Sequence, residues 1–279
     1  MRLLRRRRRV PVRRFDPATG AWVDADDAQA ADRGELRVAT YNIWFDDYHA
    51  EQRYLAIADL LRERRPDVIV LQEVTPSALE LFLEQPWIRD EYLSASAAGG
   101  GLGNYGMLTL SRVPVVRATH SHLPTRQTRG FLEVELALDG VRQVVCCVHL
   151  DSGKSSARLR GWQLRRIFRT LRNVENVLVL GDFNMRDAEN KRITPPFCDA
   201  WPALRPAEPG YTENTSINLM RFDARNKKRH VRFDRILVKG DRWRPVNIEL
   251  LGTQPISPDL PRVFPSDHFG VECRLAGQR

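Results

Sequence analysis

The 279-residue chain contains no apolar run approaching the roughly 18 residues that span a bilayer, so no membrane-crossing segment is expected. It has only four cysteines, Cys146, Cys147, Cys198 and Cys273. Their spacing suits neither a zinc site nor a disulfide framework, and reduced core thiols in a cytoplasmic protein are the expectation. No glycine-rich phosphate loop is evident: AAGGGLGN (97–104) follows no convincing strand and precedes no helix, which makes it weak as a dinucleotide site. Few aromatics interleave the basic segments, so base stacking is not indicated. Acids are missing from two stretches. One is 152–174; the other is residues 1–14, MRLLRRRRRVPVRR, with eight arginines. Without those arginines the formal charge of +9 falls to near +1. Like charges repel and such a segment buries little, so residues 1–35 are expected to be a disordered basic arm and an acidic linker. The arm reads as a solvated tail, a nucleic-acid-binding arm or a transit segment. No apolar run follows it as a secretory signal would require.

What is present from residue 36 is an interleaving of strands and helices. LRVATY (36–41), DVIVLQE (67–73), NVLVL (176–180), RFDRILVK (232–239) and HFGVECRL (268–275) read as strands. EQRYLAIADLLRER (51–64) reads as a helix with Tyr54, Leu55, Ala58 and Leu61 on one face. SARLRGWQLRRIFRTLRNV (156–174) is a second, with Leu164, Ile167, Phe168 and Leu171 inward and six arginines on the other side. Residues 131–150 read as a hairpin, since Leu132, Val134, Leu136 and Leu138 alternate with acids and Asp139-Gly140 suits a type I′ turn. Hairpins mixed with helices, and no interdomain linker, predict a single α/β domain over 36–279.

Several of these strands end in polar residues: Asn42, Gln72 and Glu73, His149 with Asp151, then Asp182 and Asn184. Asp234 begins a strand, and Asp267 with His268 introduces the last one. Taken singly, each has an ordinary structural role as a turn former, helix-entry acid or buried histidine. As a set they are harder to dismiss, because ligand sites in α/β sheets collect where strand ends meet loops. Carboxylate and amide oxygens are hard ligands suited to Mg²⁺ or Mn²⁺. Such a cation beside two histidines and an aspartate is the equipment of phosphoester hydrolysis.

The motifs TYNIW (40–44), LQEV (71–74), SR before a proline (111–114), HL (149–150), GDFN (181–184), FDRI (233–236) and SDH (266–268) occur in that order. This ordered set resembles the endonuclease/exonuclease/phosphatase superfamily over about residues 36–275, and within it the enzymes of the tyrosyl-DNA phosphodiesterase 2 type. The branch resemblance is carried by VHLDSGKSSARLRGWQL, GDFNMRDAEN, YTENTSINLM and FPSDHFGVECRL. The chain departs from that branch at Phe183, where threonine is usual, and at Glu213, where an aromatic residue usually follows the threonine. The resemblance implies a four-layer α-β-β-α sandwich of two mixed β-sheets flanked by helices. It implies Glu73 as metal ligand with Asn42 and Asp267 beside it, and Asp182 activating water. Asn184, His149 and His268 would contact phosphate, with Asp234 orienting His268. Arg186, Tyr105 and Thr212 are candidates for substrate contact. The implied activity is Mg²⁺- or Mn²⁺-dependent phosphodiester hydrolysis at DNA ends, such as 5′-tyrosyl adducts, by a monomer. The alternatives are another branch, whether endonuclease, sphingomyelinase-like or inositol-phosphate-type, and a catalytically inactive binding domain.

Overall fold

The computed structural model describes residues 7–25, 29–97, 104–138 and 140–278. In chain order it forms β1 (Arg7–Val10), β2 (Arg13–Asp16), β3 (Ala21–Asp24), β4 (Glu35–Asn42), α1 (Ala50–Arg64) and β5 (Val68–Val74). Then come α2 (Pro76–Glu84), α3 (Pro86–Glu91), β6 (Leu93–Ala97), β7 (Gly106–Ser111), β8 (Val115–His122), β9 (Gly130–Leu138) and β10 (Val141–His149). The remainder is α4 (Ala157–Thr170), β11 (Asn176–Asp182), β12 (Cys198–Asp199), α5 (Ala200–Leu204), β13 (Glu213–Asn214), α6 (Leu219–Arg225), β14 (His230–Val231), β15 (Asp234–Lys239), β16 (Trp243–Leu251) and β17 (Gly270–Gly277).

Two mixed sheets result. One has the order β1-β8-β9-β10-β11-β15-β12, the other β16-β17-β4-β5-β7-β6-β2-β3. The alternation of each strand builds the layers. Leu36 and Val38 of β4 point into the space between the sheets, where they meet Leu132, Val145, Leu178 and Ile236 of the facing sheet. Ala39 and Tyr41 point the other way, onto Ile57, Ala58 and Leu61 of α1. On the far side Val144, Cys146 and Val179 meet Leu164 and Ile167 of α4. Cys146 and Cys147, adjacent in sequence, therefore lie in different cores. The expected four-layer α-β-β-α sandwich is what forms. Among the described residues no helix is long and apolar enough to cross a membrane.

The structure corrects several expectations. Residues 7–24 are neither a free arm nor a linker, because they supply edge strands to both sheets. Strand β1 pairs antiparallel with β8, Val10 sinks into the core at 7% exposure, and Arg7 donates to Glu133 at 2.9 Å. Arg7, Arg8 and Arg9 all stay exposed at the edge, while an open sheet edge offers backbone partners. β2 and β3 form a hairpin in which Phe15 meets Trp22 edge to face at 5.8 Å. In α1, Leu55 is 39% exposed and Arg53 takes a buried position instead. In α4, Arg160 is fully buried and leaves the solvent face. Cys198 is exposed rather than a core thiol. Residues 1–6, Asp139 of the hairpin turn and residues 98–103 of the glycine-rich stretch lie outside the described residues; Gly140, at φ 66°, has the conformation the turn requires.

Candidate active site

Register brings the polar strand ends into one row. His149 at the end of β10 lies beside Asp182 at the end of β11, and Asp182 lies opposite Asp234 at the start of β15. The facing sheet contributes Asn42 and Gln72 at the paired ends of β4 and β5. The register between β5 and β7 shifts between Gln72 and Val74, leaving Glu73 as the extra residue with φ 62°. A bulge of this kind re-aims one side chain out of the alternation. Trp44 at φ 59° and Asn184 at φ 51° are likewise in the left-handed region, so three strained non-glycine residues sit at this end of the sandwich. Gly181 has φ 142°, and a Cβ there would stand 2.0 Å from the Val148 carbonyl oxygen. The glycine of GDFN is therefore demanded by the close approach of β10.

Asp182 is almost fully enclosed and accepts four hydrogen bonds or near-contacts. Its Oδ1 takes the Asn184 backbone N–H at 2.7 Å, and its Oδ2 takes Nδ2 of Asn184 at 2.8 Å and Nδ2 of Asn42 at 3.1 Å. Nε2 of His149 stands 3.4 Å from Oδ2 and 3.7 Å from Oε1 of Glu73. Burial opposes ionisation of Asp182, but His149, the charge of His268 and the Asn184 N–H outweigh it and hold the carboxyl well below the usual range. Asn184 spends its amide protons on Asp182 and on the Leu150 carbonyl at 3.1 Å. Among the described residues no donor reaches its Oδ1.

The two histidines have opposite states. Nδ1 of His149 lies 2.8 Å from Nη1 of Arg129. A guanidinium can only donate, so that nitrogen is an acceptor and the proton sits on Nε2. Burial, reinforced by the Arg129 charge, lowers the His149 pKa to about 4. His268 shares Nδ1 with Asp234 Oδ2 at 2.7 Å. Burial opposes its charge, but the Asp234 and Asp267 carboxylates raise its pKa well above the ordinary value. His268 is therefore an imidazolium at neutral pH, and His149 is a neutral ring.

Glu73 and Asp267 mark a place short of positive charge. Burial first, and the charge of Asp267 second, push the Glu73 carboxyl up to about 7. Among the described residues its Oε2 accepts only the Phe45 backbone N–H, at 3.2 Å. Asp267 is also raised by burial, with Nε of Arg221 3.4 Å away. Asp182, Asp234 and His268 also bring ligand atoms within 4.8 Å of one another. There the His268 imidazolium already supplies a cation.

Glu73, Asp182, Asn184, Asp267 and His268 open into a cleft of about 1040 Å³, lined by eight lysines and arginines against four carboxylates, whereas His149, Asn42 and Asp234 lie behind its wall. Arg186 and Tyr105 line it as expected. Tyr105 stacks on Phe45 at 4.7 Å and accepts from Arg129 at 3.1 Å. Thr212 is not at the surface of the cleft: it is 1% exposed, and its hydroxyl accepts the backbone N–H groups of Phe233 and Asp234 at 3.0 and 3.1 Å. It seats Asp234 rather than touching a ligand. Asp151 also turns away, accepting the Arg126 N–H and a bond from Gln163.

Three arginines were not legible as site residues. Arg129 fixes the His149 tautomer. Arg53 is 0% exposed and donates to the carbonyls of Ile43, Trp44, Asp46, Tyr48 and Pro265, tying down the loops that follow β4 and precede His268. Arg160 grips Glu189 with two bonds and also holds the carbonyls of Asp151 and Gly153 at the cleft edge. A buried arginine is recognisable only by its partners, and these are distant in sequence.

The chain is similar to several known proteins. Tyrosyl-DNA phosphodiesterase 2 of Xenopus laevis is 29% identical over 266 residues, covering 88% of this chain and 67% of that protein. The Homo sapiens enzyme of that name is 28% identical over 274 residues, covering 93% and 73%. The chain thus spans about two thirds of the length of the Xenopus laevis relative. Among solved structures, D. rerio TDP2 complexed with a single-strand DNA product matches with a TM-score of 0.76 at 24% identity, covering 87% of this chain and 99% of that one. An endonuclease/exonuclease/phosphatase from Bacteroides vulgatus matches at 0.66 and 18%, covering 88% and 100%. A model of the Endonuclease/Exonuclease/phosphatase family matches residues 39–268, from the middle of β4 to the charged histidine beside β17. The chain belongs to the endonuclease/exonuclease/phosphatase family.

Proposed function

We propose that this protein is a divalent-metal-dependent phosphodiester hydrolase acting on DNA ends, with 5′-tyrosyl-DNA as its substrate class. The observation that carries the reading is an ionised Asp182 between one neutral and one charged histidine, at the floor of a basic cleft. The relatives named as tyrosyl-DNA phosphodiesterase 2 support the leaving group, and the TDP2 structure with a single-strand DNA product supports the polymer.

Glu73 and Asp267 would hold Mg²⁺ or Mn²⁺, with Asn42 close by. Two enclosed carboxylates, Glu73 raised by burial and by the Asp267 charge and Asp267 raised by burial, are relieved by a bound cation. When bound, the ion supplies charge neutralisation at the phosphate and the leaving oxygen. The rest is done by the chain. Asp182 stays ionised at any working pH and orients the attacking water. It accepts the water's proton as the new phosphorus–oxygen bond forms and the phosphorus–oxygen bond to the tyrosyl side chain breaks, the tyrosine leaving as a phenolate that takes a proton from solvent. Asn42 and Asn184 keep the carboxylate in one orientation. The free Oδ1 of Asn184 can accept from the same water, a role different from the phosphate donor expected above. His268 donates Nε2–H, with a full positive charge, to a nonbridging oxygen, and His149, as a neutral group, turns its Nε2–H toward Asp182 rather than the phosphate contact expected above. Asp234 and Thr212 keep His268 aligned, and Arg129 does the same for His149.

The test is hydrolysis of a 5′-tyrosyl oligonucleotide, an abasic duplex, plain single-stranded DNA and a phosphocholine lipid, each with Mg²⁺ and with EDTA. Metal-dependent release of tyrosine, at a rate well above any other cleavage, is the expected result. Cleavage of the abasic duplex or the lipid alone would overturn the substrate class, and no metal-dependent cleavage of any would overturn the reading.

A further inference from the structure

Between β12 and β15 the chain builds a small insert on the rim of the cleft, in which β13 pairs with β14 and α6 lies between them. At its base Glu213 is 1% exposed, at the position noted above as a departure from the aromatic residue usual in the tyrosyl-DNA branch. A buried carboxylate needs partners, and each of its oxygens has one. Oε1 accepts from Nε of Arg221 at 2.7 Å, and Oε2 accepts from Nη1 of Arg229 at 3.2 Å. Both arginines are anchored through the backbone as well. The Arg221 N–H caps onto Asn218, whose Nδ2 reaches the Ser266 carbonyl at 2.7 Å, and the Arg229 N–H bonds Thr215 Oγ1 at 2.8 Å.

Each guanidinium has five donors. Among the described residues, the outer nitrogens of Arg221, and the Nε and Nη2 of Arg229, find no acceptor in the protein, although both residues line the cleft. Arg221 also lies 3.4 Å from Asp267, the neighbour of His268, so the pair flanks the reaction centre. Two guanidiniums fixed on one buried carboxylate, with their remaining donors turned to a cleft, match the geometry of phosphate recognition.

We propose that Glu213 holds Arg221 and Arg229 as a clamp for the phosphate adjacent to the scissile one, so that the site selects a strand carrying at least two phosphates over an isolated phosphodiester. The inference rests on the phosphodiesterase reading and adds a determinant of substrate length to it. Glu213 is a positioning residue, and Arg229 is the cleaner one to remove, since Arg221 also neighbours Asp267. Loss of Arg229 still leaves Glu213 paired with Arg221.

The experiment measures kcat/KM with Mg²⁺ on three substrates sharing one scissile bond. They are a 5′-tyrosyl ester of a single nucleotide, the same ester on a short single strand, and that strand with an uncharged methylphosphonate at its second linkage. The wild-type protein should prefer the charged strand to the methylphosphonate by about 10- to 100-fold, the range for a charged hydrogen bond. Arg229→Ala should remove most of that preference while leaving the single-nucleotide rate unchanged, Glu213→Gln should also weaken the preference, and Arg229→Lys should restore part of it. Equal rates of the wild-type protein on the two strands, or an Arg229→Ala loss of equal size on all three substrates, would overturn the clamp while leaving the hydrolase reading intact. Failure of the wild-type protein to cleave any of the three would overturn the hydrolase reading, and the clamp with it.

Discussion

His149 and His268 are the same side chain in opposite states, and their neighbours decide which is which. Arg129 can only donate, so it keeps His149 neutral; Asp234 can only accept when ionised, so it keeps His268 charged. Asp182→Asn removes the proton acceptor while keeping the shape of the site, and turnover should fall about 10²- to 10⁴-fold in a folded protein. Near wild-type turnover in the purified variant would refute the role. Arg129→Met should lower turnover less, about tenfold, by freeing the His149 tautomer; an effect as large as that of Asp182→Asn would mean that Arg129 touches substrate. Away from the cleft, His120 offers a clean pH prediction. Burial first, then the charges of His122 and Arg8, lower its pKa to about 4. Between that value and the unfolded value near 6.5, the unfolded chain binds more protons, so stability falls as pH drops through this window. In urea unfolding, His120→Gln should flatten the dependence between about pH 6.5 and 4, by on the order of 2–3 kcal/mol across it. An unchanged slope would show that His120 does not titrate this way. The site's carboxylates, amides and histidines were readable because each ends or begins a strand, and register alone brings such ends together. The arginines were not: Arg53 binds a carbonyl 212 positions away and Arg129 a ring 20 positions away, contacts that no local pattern announces.

At the scale of elements, α4 and the first strands carry most of the basic character. On α4 the buried stripe includes Leu164 and Ile167, while Arg158, Trp162, Arg165 and Arg169 are exposed and Arg172 follows just beyond the helix. With Lys154, just before this helix, in the wall of the cleft, the arginine stripe can follow a phosphate backbone leaving the cleft. Replacing Arg165 and Arg169 by alanine should weaken oligonucleotide binding at low salt and reduce the slope of log K against log salt by about one to two, with kcat on short substrates unchanged. An identical slope would assign the stripe to solubility alone. The first strands behave differently from a free basic arm. Deleting residues 1–16 removes β1 and β2, uncovers edges of both sheets and exposes what Val10 covers, so unfolding free energy should drop by about 2 kcal/mol or more. Unchanged stability would mean that these strands do not hold the sheets. Their place was hidden in the sequence because eight arginines mask a period of two, and because an edge strand is defined by the open edge it finds. The hairpin of β9 and β10 was legible because Leu132, Val134, Leu136 and Leu138 alternate with acids next to a turn signal, and β4, β5 and β11 because their largely apolar runs are bounded by helices or turns.

For the molecule as a whole, two sheets with their strand ends at one pole put opposite requirements on the same place. The pole must be rigid, which Arg53, Arg160 and the backbone strain at Glu73 and Asn184 indicate, and it must concentrate charge of both signs in a cleft. Without a cation, burial disfavours the ionised forms of both Glu73 and Asp267, so an ion bound there should stabilise the fold. At saturating Mg²⁺ the unfolding midpoint should rise by about a few degrees, and this rise should vanish in Glu73→Gln. An equal rise in the variant would place the ion elsewhere. The central claim is that the Asp182 pole hydrolyses a phosphodiester with a divalent ion. Its most direct test is the single-turnover rate of tyrosine release from a 5′-tyrosyl oligonucleotide, measured side by side for the wild-type protein with Mg²⁺, the wild-type protein with EDTA, and Asp182→Asn with Mg²⁺. The account predicts fast release only in the first, with Asp182→Asn slower by about 10²- to 10⁴-fold. Release of similar rate in all three would contradict it.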